Sequence, residues 1–110
     1  MATDRHERLF AEWSATLADL SATGALLGWD RETAMPRGGT EARARQMGTM
    51  SALHHRELVR EDAGEAISAL AERDDLDDDT AAMLLWAARE RDRATLVPEN
   101  LVRELSEAQS

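Results

Sequence analysis

Apolar residues recur every three or four positions through most of this 110-residue chain, and that spacing constrains its fold more than any other feature. A repeat of 3.6 residues gathers side chains on one face of a helix, whereas a half-buried strand needs a period of two, which no stretch shows. The pattern predicts an all-α fold whose first helix is long and runs from about Asp4 to Leu27. Its apolar stripe comprises Leu9, Phe10, Trp13, Leu17, Leu20 and Leu27, with Gly24 on the same line.

Residues that interrupt regular structure divide the rest of the chain. A break is expected from Gly28 to Gly39, because it contains Pro36 and ends in two glycines. Thr40 is expected to start a second helix. A third, from about Glu61 to Arg73, is either continuous with the second or separated from it near Gly64. The expected apolar faces are Met47, Met50, Leu53 or His54, and Leu58 in the second helix, and Ala63, Ala66, Ile67 and Leu70 in the third.

Two more helices are expected after an aspartate-rich turn, from about Asp78 to Ala94 and from Pro98 onward. Together the five stretches predict a bundle or hairpin array of about four to five helices, forming one helical region over 1–110. In the fourth helix Ala81, Leu84, Leu85 and Ala88 are expected to face inward, with Trp86 on a different face. The fifth carries Leu101, Val102 and Leu105.

Composition excludes several classes of function. The formal net charge of -9 disfavours binding to nucleic acid or to anionic membranes. The absence of cysteine excludes disulfides, thiolate zinc sites and cysteine nucleophiles. There is no apolar run of the length needed for a signal peptide or a membrane span, so a cytoplasmic location is expected.

Residues with catalytic or metal-binding potential are few, and each has an ordinary explanation. His54 and His55 are adjacent, so they point about 100° apart on a helix and cannot chelate one metal as an i, i+4 pair can. The aspartates at 74, 75, 77, 78 and 79 lack the glycine and glutamate positions of a calcium loop and are expected to form a solvated turn with helix caps. No Gly-x-Ser-x-Gly, P-loop or dinucleotide motif is present.

The segment after the first helix is the informative one. It reads Trp-Asp-x-x-Thr-x-Met-Pro, followed by a glycine pair, a helix with Arg and Gln, and a His two turns later. A second segment, from Leu96 to Val102, reads Leu-Val-Pro-Glu-Asn-Leu-Val. This order of motifs resembles the carboxypeptidase Taq family of metallocarboxypeptidases over most of the chain. The family-signature residues, expected to be structural, are Trp29, Asp30, Thr33, Met35, Pro36, Arg43, Gln46 and His54.

The resemblance implies a nearly all-helical body with a deep groove, walled or covered by the N-terminal helices. It also implies a zinc ion, held in the full-length family by a His-Glu-x-x-His helix and a downstream Glu, and removal of C-terminal residues from peptides. No residue of this chain matches a zinc ligand or a catalytic group of the family. We therefore expect no catalytic residue, no metal ligand and no cofactor in this chain alone.

Two functional interpretations follow. The first is an N-terminal helical fragment of a zinc metallocarboxypeptidase, inactive alone, with a peptide substrate only in the full-length enzyme. The second is a stand-alone helical interaction or oligomerisation module. If these helices are cut free from a larger body, their exposed apolar stripes predict self-association of the isolated chain, with a homodimer as the commonest outcome. The first helix, through Leu17 and Leu20, is the expected contact.

Overall fold

The computed structural model describes residues 2–33, 39–96 and 98–109, and within these it contains five α-helices and no strand. The predicted all-α array with a long first helix is confirmed. The helices are α1 (Ala2–Thr33), α2 (Thr40–Leu58), α3 (Glu61–Ala71), α4 (Asp78–Ala94) and α5 (Glu99–Gln109).

Helix α1 runs along most of the molecule. Its 32 residues make a rod of about 48 Å, and the whole chain measures 54 × 25 × 21 Å. Helix α2 packs on the C-terminal part of α1, and α3 continues in the same direction along its N-terminal part, where Arg73 pairs with Glu7. Helix α4 then packs on α3, and α5 on α2. Helices α2 and α3 therefore lie in the middle, with α1 on one side and α4 and α5 on the other.

The core lies around α3, which packs against α1 on one side and α4 on the other. Trp13 is its largest fully buried side chain, at 1% exposure, and its indole Nε1–H donates to the carbonyl of Glu57 at 2.8 Å, as a buried indole requires. All four residues predicted to form the face of α3 are buried. The core consists of Phe10, Trp13, Leu17, Leu58, Ala63, Ile67, Leu70, Leu84, Ala87 and Ala94.

One helix boundary differs from that expected. Helix α1 continues through Gly28 to Thr33 instead of ending at Leu27. A glycine costs a helix only about 1 kcal/mol, and this one lies against α2: a Cβ placed on Gly28 would be 3.7 Å from Met47 Cε. Helices α2 and α3 are separate, with the junction at Val59 and Arg60. Helix α3 begins at Glu61, as expected, and Gly64 is inside it.

Arg91 of α4 explains why a glycine lies inside α3. Its Nη1 donates to the carbonyl of Leu58 at 2.8 Å and to that of Arg60 at 2.6 Å, so it satisfies backbone oxygens at the end of α2. The guanidinium lies directly over Gly64, where a Cβ would come within 2.3 Å of Arg91 Nη2. Only glycine at position 64 leaves room for the guanidinium in this position.

The buried face of α4 was predicted only in part. Leu84 is buried and Ala88 packs against the core, but Ala81 is exposed and Leu85 is 55% exposed, while Ala87 is buried. Helix α4 is apolar on several sides over its first half, so the spacing of its apolar residues does not distinguish the inner face.

Self-association of the chain stays a prediction, but one of the two α1 residues named for it is not at the surface. Leu17 is 4% exposed and belongs to the chain's own core, and Leu20 is half-buried. The large apolar residues of α1 that solvent reaches are Leu26 and Trp29, at 64% and 63% exposure.

Helix α5 meets α2 through polar contacts. Ser51 donates to Ser106 at 2.9 Å, and Arg103 donates to Thr49 Oγ1 at 3.0 Å. The side chain of Glu107 lies against the buried Gly48, where a Cβ would come within 2.7 Å of it. Of the three apolar residues expected to anchor α5, Val102 is half-buried, whereas Leu101 and Leu105 are 41% and 52% exposed.

Candidate functional site

The family-signature residues lie on the hairpin formed by α1 and α2. Trp29 is in the last turns of α1, and more than half of its surface is exposed. Asp30 and Thr33 also belong to α1, not to a loop, although their side chains are outside the described part. Met35 and Pro36 lie outside the described residues.

Arg43 and Gln46 are brought together on the first turns of α2. Gly39 precedes this helix, and its carbonyl accepts the first helical hydrogen bond from the Arg43 amide at 3.0 Å. The side chain of Arg43 then reaches the residue one turn further along α2, where its Nη1 donates to Gln46 Oε1 at 2.7 Å. A spacing of three places two side chains on the same side of a helix, so this pairing is compatible with the sequence. It orders one guanidinium on the first turns of α2.

His54 lies eight residues further along α2, about 12 Å from Gln46 along the helix axis. It lines a groove of about 420 Å³ between α1, α2 and α5. Gly24 forms part of the wall, and a Cβ placed there would have no atom within 4 Å. The rest of the lining is mainly apolar and comprises Leu20, Ser21, Met50, Ser51, His55, Leu58 and Val102.

Burial lowers the pKa of His54 from its ordinary value of 6.5. Glu90 of α4 raises it in part, and the neighbouring His55 lowers it. The imidazole is therefore neutral at neutral pH, able to give and to accept one hydrogen bond.

His55 has a structural role that the sequence does not reveal. Its Nε2 lies 2.8 Å from the carbonyl oxygen of Ala94, the last residue of α4. A neutral imidazole bonded in this way donates from Nε2, which leaves Nδ1 as an acceptor, and Nδ1 is buried with no partner in the described structure. Both histidines line this groove and lie near α4, His55 through its bond to Ala94 and His54 through the charge of Glu90.

The described residues offer no site for the zinc ion that the resemblance implies. Among them, no three histidine or acidic side chains are grouped so that they could hold a metal. The donor set of the hairpin, which consists of one guanidinium, one amide and single imidazoles, does not fit zinc. What the hairpin can do chemically is to position a neighbouring segment or ligand through hydrogen bonds and apolar contacts.

Comparison with known proteins assigns the family. The model of the carboxypeptidase Taq (M32) metallopeptidase family matches residues 9–110. The chain belongs to this family. It is also 33% identical over 103 residues to thermostable carboxypeptidase 1 of Thermus thermophilus.

The match to that M32 relative covers 90% of this chain but only 20% of the relative. No solved structure matches the chain significantly. Within residues 2–33, 39–96 and 98–109, every helix is too short or too polar to span a bilayer.

Proposed function

We propose that this chain is the N-terminal helical region of a zinc metallocarboxypeptidase that removes C-terminal residues from peptides, and that it acts in the cytoplasm. The observation that carries the proposal is the match of the family model to nearly the whole chain, combined with 20% coverage of the relative. A His-Glu-x-x-His motif is absent from the 110 residues, so zinc and the catalytic base would come from sequence beyond them.

In this role the α1–α2 hairpin forms part of the wall of the substrate groove. The pairing of Arg43 with Gln46 fixes one guanidinium at the start of α2, and the exposed Trp29 offers a large apolar surface at the end of α1. Both are features of a surface that contacts a larger body and not of a site that breaks a peptide bond by itself.

A direct test uses the chain alone. Purified chain is expected to contain no stoichiometric zinc by elemental analysis and to release no amino acid from an N-blocked dipeptide. One tightly bound zinc per chain, or release of the C-terminal residue, would contradict the assignment of the catalytic groups to another part of the protein.

A second test asks whether the chain can replace its counterpart. The matching segment of the Thermus thermophilus carboxypeptidase is exchanged for this chain, and zinc content and peptidase activity are measured. We expect the chimera to be active, and Arg43→Ala to lower its activity. The matched control is Arg45→Ala, an exposed arginine two residues away on α2. A folded, zinc-loaded but inactive chimera would argue against the proposal.

The second candidate function is a stand-alone helical interaction module. It is favoured by one observation, the exposure of Met83, Leu85 and Trp86 on α4. A chain that folds by itself and binds a partner, together with an inactive chimera, would support this alternative.

A further inference from the structure

Helix α5 packs on α2 with its polar side and turns its apolar side outward. Leu101, Leu105 and Ala108 follow one another at spacings of four and three, so they form one stripe along the helix. Leu101 is 41% exposed, Leu105 is 52% exposed, and Ala108 is exposed as well. The opposite side, which contacts α2, carries Arg103, Ser106 and Glu107. An amphipathic helix normally packs through its apolar stripe, and no described residue covers the stripe of α5.

Gly48 of α2 holds α5 in this orientation. The glycine is buried, and a Cβ placed on it would lie 2.7 Å from Cγ of Glu107 and 2.8 Å from its Oε1. A side chain at position 48 would therefore displace Glu107, whereas glycine lets the polar side of α5 approach the backbone of α2. The hydrogen bonds that Ser106 and Arg103 make with α2 act on the same side of α5. These contacts keep the polar side inward and the apolar stripe outward.

The size of the stripe decides between a separate molecule and a segment of the same chain. The outer side of this 11-residue helix is about 16 Å long and about 10 Å wide. That area is far below the roughly 800 Å² that each partner buries in a stable interface between separate proteins. A segment joined to α5 by the backbone has a high local concentration and can pack on a much smaller surface. The stripe therefore fits a connected segment better than a free partner.

The point at which the family match ends identifies that segment. Helix α5 ends at Gln109, and the match extends to residue 110, although it covers only 20% of the Thermus thermophilus relative. Under the proposed function, on which this inference rests, the rest of the protein follows directly after α5. Consecutive elements are usually adjacent in space. We propose that a helix of the segment following residue 110 packs through its own apolar face on the stripe formed by Leu101, Leu105 and Ala108.

Thiol labelling tests whether this stripe is covered in the longer protein. The 110 residues contain no cysteine, so Leu105→Cys introduces a thiol on the stripe that has no competitor within this segment. The variant is made in the isolated chain and in the chimera with the Thermus thermophilus carboxypeptidase, and mass spectrometry follows the reaction of residue 105 with a maleimide. We expect this reaction to be about a hundredfold slower in the folded, zinc-loaded chimera, because a covered thiol reacts only when the covering helix opens.

Two further variants complete the design. Asp74→Cys is the matched control, since it lies in the exposed, charged turn before α4 and should react equally fast in both proteins. Leu101→Glu is then added to the Leu105→Cys variant. In the isolated chain it should leave the labelling rate unchanged, because residue 101 is already exposed. In the chimera it would place a charge under the packed helix, so labelling should return to within about threefold of the isolated-chain rate.

Failure of this inference can be distinguished from failure of the proposed function. A folded, zinc-loaded parent chimera without peptidase activity would contradict the proposed function. An active chimera in which residue 105 reacts as fast as in the isolated chain would overturn this inference alone. So would equal protection of the Asp74→Cys thiol, or protection that survives Leu101→Glu. Labelling of residue 105 that slows as the isolated chain is concentrated would identify a second copy as the occupant and would also overturn it.

Discussion

Replacing Gly64 by alanine tests the contact between α4 and the α2–α3 junction. A Cβ at this position would lie 2.3 Å from Nη2 of Arg91 and 3.0 Å from its Cζ, so the guanidinium has to move by more than 1 Å. The side chain is flexible and can move, but its hydrogen bonds to the carbonyls of Leu58 and Arg60 do not survive that displacement. The added methyl group therefore destabilises the chain mainly by breaking the hydrogen bonds of Arg91.

Two opposing free-energy terms decide the outcome. Alanine in place of glycine inside a helix stabilises it by about 1 kcal/mol. A hydrogen bond from a charged donor contributes about 1.5–3 kcal/mol, and water recovers part of this here because Arg91 is only half-buried. Loss of both bonds then costs about 2–3 kcal/mol. We expect Gly64→Ala to destabilise the chain by about 1–2 kcal/mol in the free energy of unfolding.

Gly24→Ala is the matched control, since it makes the same change inside α1 where a Cβ meets nothing within 4 Å. It should stabilise the chain by about 1 kcal/mol. Urea unfolding followed by circular dichroism measures both variants. In an Arg91→Met background, Gly64→Ala should become stabilising, like the control. If Gly64→Ala is as stabilising as Gly24→Ala in the wild-type background, the guanidinium does not occupy the space above residue 64 and the reasoning is refuted.

Three other outcomes are expected. Trp13→Phe should lower the free energy of unfolding by about 1.5–3 kcal/mol in urea titrations, because it removes ring volume from the core and the hydrogen bond to the Glu57 carbonyl; a change near zero would mean that the indole is not packed. Because burial lowers the pKa of His54, the unfolded chain binds a proton more readily, and stability should fall as pH drops below about 6.5. His54→Gln should flatten that pH dependence, which unfolding at pH 7.5 and 5.5 would measure. Asp77→Ala should lower the melting temperature, since this residue caps α4 by accepting from the Thr80 amide at 2.8 Å, and an equal melting temperature would show that the cap is dispensable.

The periodicity of the sequence predicted α3 well and α4 poorly, for a physical reason. In α3, apolar residues occupy one face and charged or small polar ones the other, so spacing alone identified its four buried residues. In α4 the residues from Thr80 to Ala88 are all uncharged, so two faces fit equally well. The contacts that select the inner face, such as those of Arg91, join residues more than 30 positions apart.

The hairpin site was predicted from the order of its motif and not from its geometry. The three-residue spacing of Arg43 and Gln46 is compatible with their pairing on one side of a helix, but the pairing itself was not predicted. The position of Trp29 was not predictable, because the glycine before it was interpreted as the end of α1. The hydrogen bond between His55 and the Ala94 carbonyl could not be predicted either. The sequence around His55 does not show which residue of α2 faces the end of α4.

The polar contact between α5 and α2 has a consequence for local stability. Helix α5 is held by the hydrogen bonds of Ser106 and Arg103, and two of its three large apolar residues remain exposed. Segments that bury little apolar surface open without unfolding the whole molecule. Backbone amides of α5 should therefore exchange with deuterium well before those of α3, whose apolar face is fully buried.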